Sequence, residues 1–571
     1  MNKKLNVVLC WHMHQPWYRE TLDGPYRLPW VYLHAMKDYT DMAAHLEAQP
    51  RMRAVVNFAP VLLEQIDDYD RQLQAWLKDA RPFDDPLLNQ LSGAIPIAED
   101  IAARKKLVMD CSRAHAPRMI DPYPAFAELL GWTKHGHDID EALLGFLNDQ
   151  YFFDLLTWYH LSWLGHSLKQ TDTARRLMKK ARNFDADDRR ALLQLIADAF
   201  TDLIARYRKL HESGQIEISM SPYGHPIVPL LLDFDSMHCA LPDSPSPEAS
   251  GYPGGGERAC WHIEHGLRVF EDHFGFRPVG MWLSEGGVSE EAVKLIEEYD
   301  FRWTASGEGV WHNSCYLSNF GEGQLHSRRT LFKSHHLPDQ ECRLFFRDDG
   351  LSDLIGFEYH GWEAGKAAAD FVGNLENIAD FLADQPSDHV VSIILDGENA
   401  WEHYPDNGNA FLQSLYEHLA HSERIKLTTF AEASISTTGL ELPHLCAGSW
   451  VYGSFSTWIG NPDKNRAWDR LVEAKLAYDA HIDKLPAGKR KAAEQQLAIC
   501  EGSDWFWWFG DYNPSDSVRD FDELYRQQLK NLHTLLGLAV PANLDEPLSV
   551  GGGNAEGGGS MRRGHGQGSG G

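Results

Sequence analysis
The 571-residue chain is short of basic side chains: 53 Lys and Arg stand against 82 Asp and Glu, a net charge of −29 with histidine neutral. That balance repels phosphate backbones and anionic lipid surfaces, which argues against nucleic acid and membranes as partners. No apolar run approaches the length of about 18 residues that a membrane helix requires. The eight cysteines are scattered with no C-x-x-C pair, so the chain has neither a disulfide-dense framework nor a zinc-finger spacing. Free thiols in a reducing compartment fit this usage. Met1-Asn2-Lys3-Lys4 opens with basic charge, but the apolar stretch behind it is brief, is broken by His12 and His14, and lacks a small-residue cleavage site. The expected location is therefore cytoplasmic. No internal repeat is visible.

What is present is ordinary for a folded protein: 43% hydrophobic and 24% charged residues. Short apolar, β-branched runs alternate with longer helical stretches. They are Leu5 to Cys10, Arg53 to Phe58, Gln215 to Ser219, Pro278 to Trp282, Phe301 to Ala305, Arg343 to Phe346, Val390 to Leu395 and Lys426 to Phe430. Such alternation predicts an α/β fold with a parallel sheet and helices outside it. The run Val390 to Leu395 has no two-residue alternation, as expected of a strand covered on both faces. About seven or eight such units would close into a barrel.

Residues 1–436 are expected to form this catalytic unit, with a helical insertion at about 80–185. In the helix after the insertion, Leu192, Leu195, Ile196, Ala199, Phe200, Leu203, Ile204 and Tyr207 share one face, with Asp187 and Asp188 near its start and Gly214 past its end. Residues 437–546 read as a helical C-terminal domain that completes the substrate cleft, with helices around Asn465 to Asp483, Ala487 to Cys500 and Asp520 to Leu536. Residues 547–571 read as a disordered tail, 11 of the last 21 being glycine.

Chemistry concentrates at a few places. His12 and His14 follow the first strand, and alternation along an extended backbone puts both on one side. Such a pair can bind metal, hold a sugar hydroxyl or cap a loop. A metal would need a third ligand, and no H-E-x-x-H helix is present. Glu285 lies just past a short strand, beside Trp282 and two glycines. Asp396 ends the buried run Val391 to Leu395 and opens the cluster Asp396-Gly397-Glu398-Asn399-Ala400-Trp401-Glu402. Acids at the carboxyl ends of barrel strands occupy the catalytic face. Cleaving a glycosidic bond requires two such carboxyl groups, one ionised and one protonated. For a single acid the plainer reading is a loop or helix-cap residue; the pair, each member near a tryptophan, outweighs it. Trp505-Phe506-Trp507-Trp508 can stack on pyranose faces or fill a domain interface.

Together these segments resemble glycoside hydrolase family 57, in particular its α-amylase and amylopullulanase group, from about Leu5 to Leu536. The resemblance rests on five ordered motifs: His12-Met13-His14-Gln15-Pro16; Gly214-Gln215-Ile216-Glu217 with Ser221-Pro222-Tyr223-Gly224-His225-Pro226; Gly280-Met281-Trp282-Leu283-Ser284-Glu285; Leu395-Asp396-Gly397-Glu398-Asn399; and Ser503-Asp504-Trp505. It implies an incomplete, seven-stranded (β/α) barrel and a retaining hydrolase of α-1,4 glucosidic bonds in glycogen-like glucans or maltodextrins, with α-1,6 bonds as a second target. Glu285 is the implied nucleophile and Asp396 the general acid and base. His12, His14 and Glu217 are implied to line the subsite, Trp282 and Trp401 to form its walls, and Arg347, Asp353 and Asp504 to be further binding residues. For Arg347, Asp353 and Asp504 a buried ion pair is the competing structural role. No metal and no organic cofactor are implied, and the partner is an α-glucan or maltooligosaccharide. Two departures stand out: Asp511-Tyr512-Asn513 where relatives often read Asp-Asp-His, and Ala400 where proline is common. The alternatives are a 4-α-glucanotransferase or glucan branching enzyme using the same two acids, a metal-dependent carbohydrate deacetylase or mannosidase, and a non-catalytic glucan-binding protein.

Overall fold
A computed structural model describes residues 4–134, 139–318, 328–385 and 388–553. Among them are nine strands: β1 (Leu5–Met13), β2 (Ala54–Phe58), β3 (Ile216–Met220), β4 (Trp303–Ser306), β5 (His335–His336), β6 (Arg343–Phe346), β7 (Val390–Asp396), β8 (Ile425–Leu427) and β9 (Leu440–Glu441). Every residue of β1 is buried, as a strand covered on both faces must be. β1 runs parallel to β7 along Asn6–His12 and to β2 over Cys10–Met13, with β8 beside Leu5–Val7. β2 leads to β3 in turn. Isolated parallel bridges then carry the succession from Met220 of β3 to Met281, and from Gly280 to Trp303 of β4. β4 pairs with β6, and Arg347 just past β6 bridges to Ser392 of β7. The pairings thus return to β1, and the expected α/β architecture is found. Val8, Cys10, Val55, Trp282, Trp303, Ala305, Phe345 and Ile394 pack together as a separate core cluster of the strands and their connections.

The segment Pro278 to Trp282, expected as a full strand, makes only these two bridges. Gly280 explains the close approach it makes there: a Cβ at this position would sit 1.9 Å from the Trp303 ring. The last expected strand is shorter than its apolar run suggests. Phe430 leaves it to start the helix Phe430–Ser436, where the Thr429 side chain accepts the Glu432 amide as an N-cap.

Between β2 and β3 the chain is helical, including Pro86–Ser92, Ile101–Cys111, Pro124–Trp132, Asp149–Trp163 and Asp172–Lys180. The helix Ala186–Glu212 follows, closed at its start by a reciprocal capping box between Asp185 and Asp188. After β9 come Pro462–His481, Ala487–Cys500, Ser503–Trp508 and Ser515–Leu535. Leu548 and Ser549, which the composition places in the tail, are buried, and the carboxylate of Asp522 accepts both their amides. Residues 554–571 lie outside the described part of the chain.

Candidate active site
Parallel register sets the first three groups of the site. His12 of β1 is paired with Asn57 of β2 on one side and with Asp396 of β7 on the other, so all three stand at one level. His12 Nδ1 lies 2.7 Å from Asn57 Oδ1. Burial and the nearby His14 lower the His12 pKa to about 3, which keeps the ring neutral. His14, two residues on, stacks on the same side at a ring separation of 5.8 Å.

The loop after β3 brings in His225, a residue that sequence reasoning quoted within a motif but did not assign to the site. Its ring stacks against both histidines, 3.8 Å from that of His14 and 5.1 Å from that of His12. Its Nδ1 lies 3.0 Å from Ser503 Oγ, and its carbonyl accepts the Ser503 amide at 2.9 Å. These contacts dock the short helix Ser503–Trp508 onto the strand ends and set Asp504 against His14, whose Nε2 is 2.9 Å from the carboxylate. Burial and the two neighbouring imidazoles push the His225 pKa well down.

Glu285 sits in a tight turn, Ser284–Gly286, with φ 59° and ψ 22°. A non-glycine residue in this left-handed region is strained, and such strain concentrates at functional sites. Gly286 follows at φ +57°, where a Cβ would lie 2.9 Å from the Trp282 ring. The indole N–H of Trp450 donates to Glu285 Oε2 at 3.0 Å and the Ser503 hydroxyl to Oε1 at 3.4 Å. The backbone amide of Trp450 also donates to the Glu285 carbonyl at 3.1 Å. Burial, then the charges of Asp504 and Asp396, push the Glu285 pKa well above the usual carboxylate range.

Asp396 accepts a hydrogen bond from Asn399 Nδ2 at 2.9 Å, and burial raises its pKa as well. Gly397 next to it donates its amide to the His12 carbonyl at 2.7 Å, and a Cβ there would meet Met13 Sδ at 2.1 Å. Glu398 accepts from the His14 amide and from Gln15 Nε2, both at 3.2 Å. One cavity of about 510 Å³ is lined by His12, His14, Glu285, Asp396, Trp450 and Asp504, among others. That is within the usual size of a small-molecule site.

Five expected binding residues do not line this cavity. Glu217 is buried among the strands: it accepts the indole N–H of Trp303 at 2.6 Å and the Ala431 amide at 2.9 Å, and burial raises its pKa to about 7. Trp282 and Trp401 are also fully buried. Trp282 supports His12 and Trp450 from beneath, at ring separations of 6.1 and 5.2 Å, and Trp401 donates its indole N–H to the Gly397 carbonyl at 2.9 Å. They pack beneath the loops that carry Glu285 and Asp396 and do not line the cavity. Asp353 belongs to the ion-pair network of Arg347, whose guanidinium holds Asp353 at 2.8 Å, Asp349 at 2.7 Å and the Ile394 carbonyl at 2.8 Å. Arg347 lies in a small side cavity behind Asp396 and Trp450.

The aromatic run divides its roles. Trp505 and Phe506 are buried, stacking on Tyr525 and Trp468, whereas Trp507 and Trp508 face the cavity. Asn513, in the stretch that departs from the family pattern, donates to the carbonyls of Trp507 and Trp508 at 3.0 and 2.8 Å. Its amide thus holds the end of the aromatic helix.

His14, His225 and Asp504 offer ligand atoms within 4.8 Å of one another, a spacing that metal sites share. The two imidazoles, however, lie nearly face to face, 22° from parallel. Their in-plane lone pairs run side by side instead of converging on one tetrahedral position.

Solved structures share the fold at low identity. An α-amylase from Thermotoga maritima is 14% identical, with a TM-score of 0.57 over 94% of this chain and 93% of its own. A GH57 branching enzyme from Thermococcus kodakaraensis is 16% identical, with a TM-score of 0.55 over 93% of this chain and 90% of its own. A 4-α-glucanotransferase from Thermococcus litoralis is 14% identical, with a TM-score of 0.51 over 93% of this chain and 60% of its own. Residues 8–440, most of the chain, match the sequence profile of Glycosyl hydrolase family 57. The two carboxyl groups, the histidine stack and the profile match converge: the chain belongs to glycosyl hydrolase family 57.

Proposed function
We propose that the protein is a retaining enzyme that opens α-1,4 glucosidic bonds of glycogen-like glucans or maltodextrins, with α-1,6 bonds as a second target. The observation that carries this reading is that Glu285 and Asp396, distant in sequence, face one cavity, Glu285 buried and Asp396 half-buried, and each is held by hydrogen bonds. In this reading the Glu285 carboxylate attacks the anomeric carbon while Asp396 gives its proton to the departing glycosidic oxygen. Asp396 then takes a proton from the incoming acceptor, whose oxygen displaces Glu285 from the sugar. Donors on Glu285, Trp450 and Ser503, favour its ionised form. Burial raises the pKa of both acids, and the charges of Asp504 and Asp396 raise that of Glu285 further, which favours keeping a proton in the site. His12, His14, His225 and Asp504 would hold the hydroxyls of the sugar under attack.

Transfer to a second glucan, as in a 4-α-glucanotransferase or branching enzyme, differs only in the acceptor. Trp30, Trp163, Trp507 and Trp508 line the same cavity and offer apolar faces to sugar rings in either reaction. The stacked geometry of His14 and His225 weighs against a metal-dependent deacetylase or mannosidase. We place the enzyme in the cytoplasm, where its eight free cysteines would remain reduced. No helix among the described residues is long and apolar enough to cross a membrane.

Incubation with maltoheptaose tests the assignment. Shorter oligosaccharides with a matching gain of reducing ends indicate hydrolysis, and longer plus shorter chains at constant reducing ends indicate transfer. Glu285→Ala is expected to abolish either outcome. Retention of full activity by this variant, or no reaction by the native chain, overturns the assignment.

A further inference from the structure
Part of the cavity wall is polar and is used by neither the motifs nor the catalytic scheme. It includes Arg113, His115, Glu402 and His403. Two come from the helical stretch between β2 and β3, and two from the loop that carries Asp396. The loop is held at several points. The Trp401 indole donates to the Gly397 carbonyl at 2.9 Å, Arg118 Nε donates to the His403 carbonyl at 3.1 Å, and the Tyr404 hydroxyl donates to the Ile355 carbonyl at 2.6 Å.

These anchors present Glu402 and His403 in a fixed position a few residues past the general acid. Glu402 keeps 30% of its side chain accessible, and its Oε1 is 3.4 Å from His403 Nε2. The His115 ring lies 4.6 Å from that of His403. Arg113, 30% accessible, reaches Asp520 of the helix Ser515–Leu535 at 2.8 Å in an ion pair. A carboxylate, two imidazoles and a guanidinium in one accessible recess supply both acceptors and donors, the mixture that an uncharged polyol needs. Burial, with His403 alongside, keeps His115 below the usual imidazole range, which favours the neutral ring.

The general acid must stand on the side of the departing sugar. Glu402 and His403 lie on the same loop as Asp396, a few residues past it, which associates their part of the cavity with the general acid. We propose that Arg113, His115, Glu402 and His403 form the subsite for the first sugar of the leaving chain, and for an acceptor sugar when one replaces water. This rests on the α-glucan reading above. Occupied, the subsite aligns an acceptor hydroxyl with the anomeric carbon: the new C–O bond forms as the ester to Glu285 breaks, and the hydroxyl proton passes to Asp396. The subsite would thereby set the ratio of transfer to hydrolysis.

The test compares two substrates in the full chain. Maltoheptaose places sugars on both sides of the cleaved bond, whereas α-maltotriosyl fluoride loses only fluoride and leaves this recess empty. For Glu402→Gln, and separately for His115→Ala, the ratio of kcat/KM on maltoheptaose to that on the fluoride is expected to fall at least tenfold. The gain in fluoride turnover that added maltose gives the native enzyme as an acceptor is expected to shrink in parallel. An unchanged ratio in both variants overturns the subsite while leaving the α-glucan reading intact. Equal loss on both substrates also overturns it, since a fold defect acts on both alike. A native enzyme inert toward both substrates overturns the α-glucan reading, and this inference with it.

Discussion
Glu285 holds a left-handed backbone conformation in order to aim its carboxyl group, and Trp450 both braces that turn and donates to the carboxylate. Replacing Trp450 by phenylalanine keeps an aromatic face but removes the donor to the charged form. The Glu285 pKa should then rise further, because a lost donor destabilises the ionised state. The expected outcome is a ten- to hundredfold lower kcat, in line with the loss of about 1.5 to 3 kcal/mol for a hydrogen bond to a charged group. The acidic limb of the pH–rate profile should move to higher pH, measured as kcat against pH on maltoheptaose. Neither the role of Trp450 nor that of His225 could be read from residue spacing. Trp450 lies in an irregular segment between short elements, and His225 stands among apolar neighbours with no periodic pattern to mark it.

Elements were legible where one physical signal dominated. The helix Ala186–Glu212 has an apolar stripe, acids in its first turn and Gly214 at φ +74° past its end, and all three signals agree. Its capping box predicts a defined cost: Asp185→Ala should lower stability by about 1 kcal/mol, read from the urea midpoint, with little change in activity. Legibility fell where tertiary contacts overrode local pattern. Pro278 to Trp282 is apolar enough for a strand, yet its ladder is reduced to two bridges. Phe430 belongs by composition to the preceding strand, but the Thr429 cap starts a helix there and leaves the phenylalanine packed on Trp303 and Phe345, at ring separations of 4.5 and 4.7 Å.

At the scale of the molecule, the C-terminal helices are fastened beside the site by a buried cluster. Glu501, at the end of Ala487–Cys500, accepts from Arg258 Nη2 at 2.8 Å and lies 2.8 Å from His262 Nε2, both on the helix Gly255–Phe274. Arg258→Ala leaves a buried carboxylate without its main partner and should cost about 3 to 5 kcal/mol in urea unfolding. Burial opposes the Glu501 charge, but Arg258 and His262 outweigh it and lower the pKa to about 2. A lowered folded-state pKa gives stability that is complete above the unfolded value near 4.5 and lost as pH falls toward 2. His160 and His335, lowered by burial to about 4, and His12, lowered to about 3, act in the same sense below pH 6.5. Glu217, raised by burial to about 7, acts oppositely, but its effect is complete once pH drops below about 4.5. Unfolding temperature should therefore fall steadily from pH 4.5 to pH 3, measured by circular dichroism; a flat or rising profile would contradict these assignments.

Local chemistry along the chain was enough to establish the parallel α/β class, most helices, both carboxyl groups and the histidine pair, because strand periodicity and the position of an acid just past a strand are properties of neighbouring residues. The family resemblance implied Glu217, Trp282 and Trp401 as cleft residues, since a glutamate or tryptophan within a motif looks alike whether it faces a cavity or props its floor. Which side of a strand meets the cavity depends on register with strands far away in sequence. Only the folded chain set His225 against both His12 and His14, brought Asp504 to His14 through Ser503, and gathered Arg113 and His115 beside Glu402 and His403. Long-range packing decides such meetings, and no local pattern encodes them.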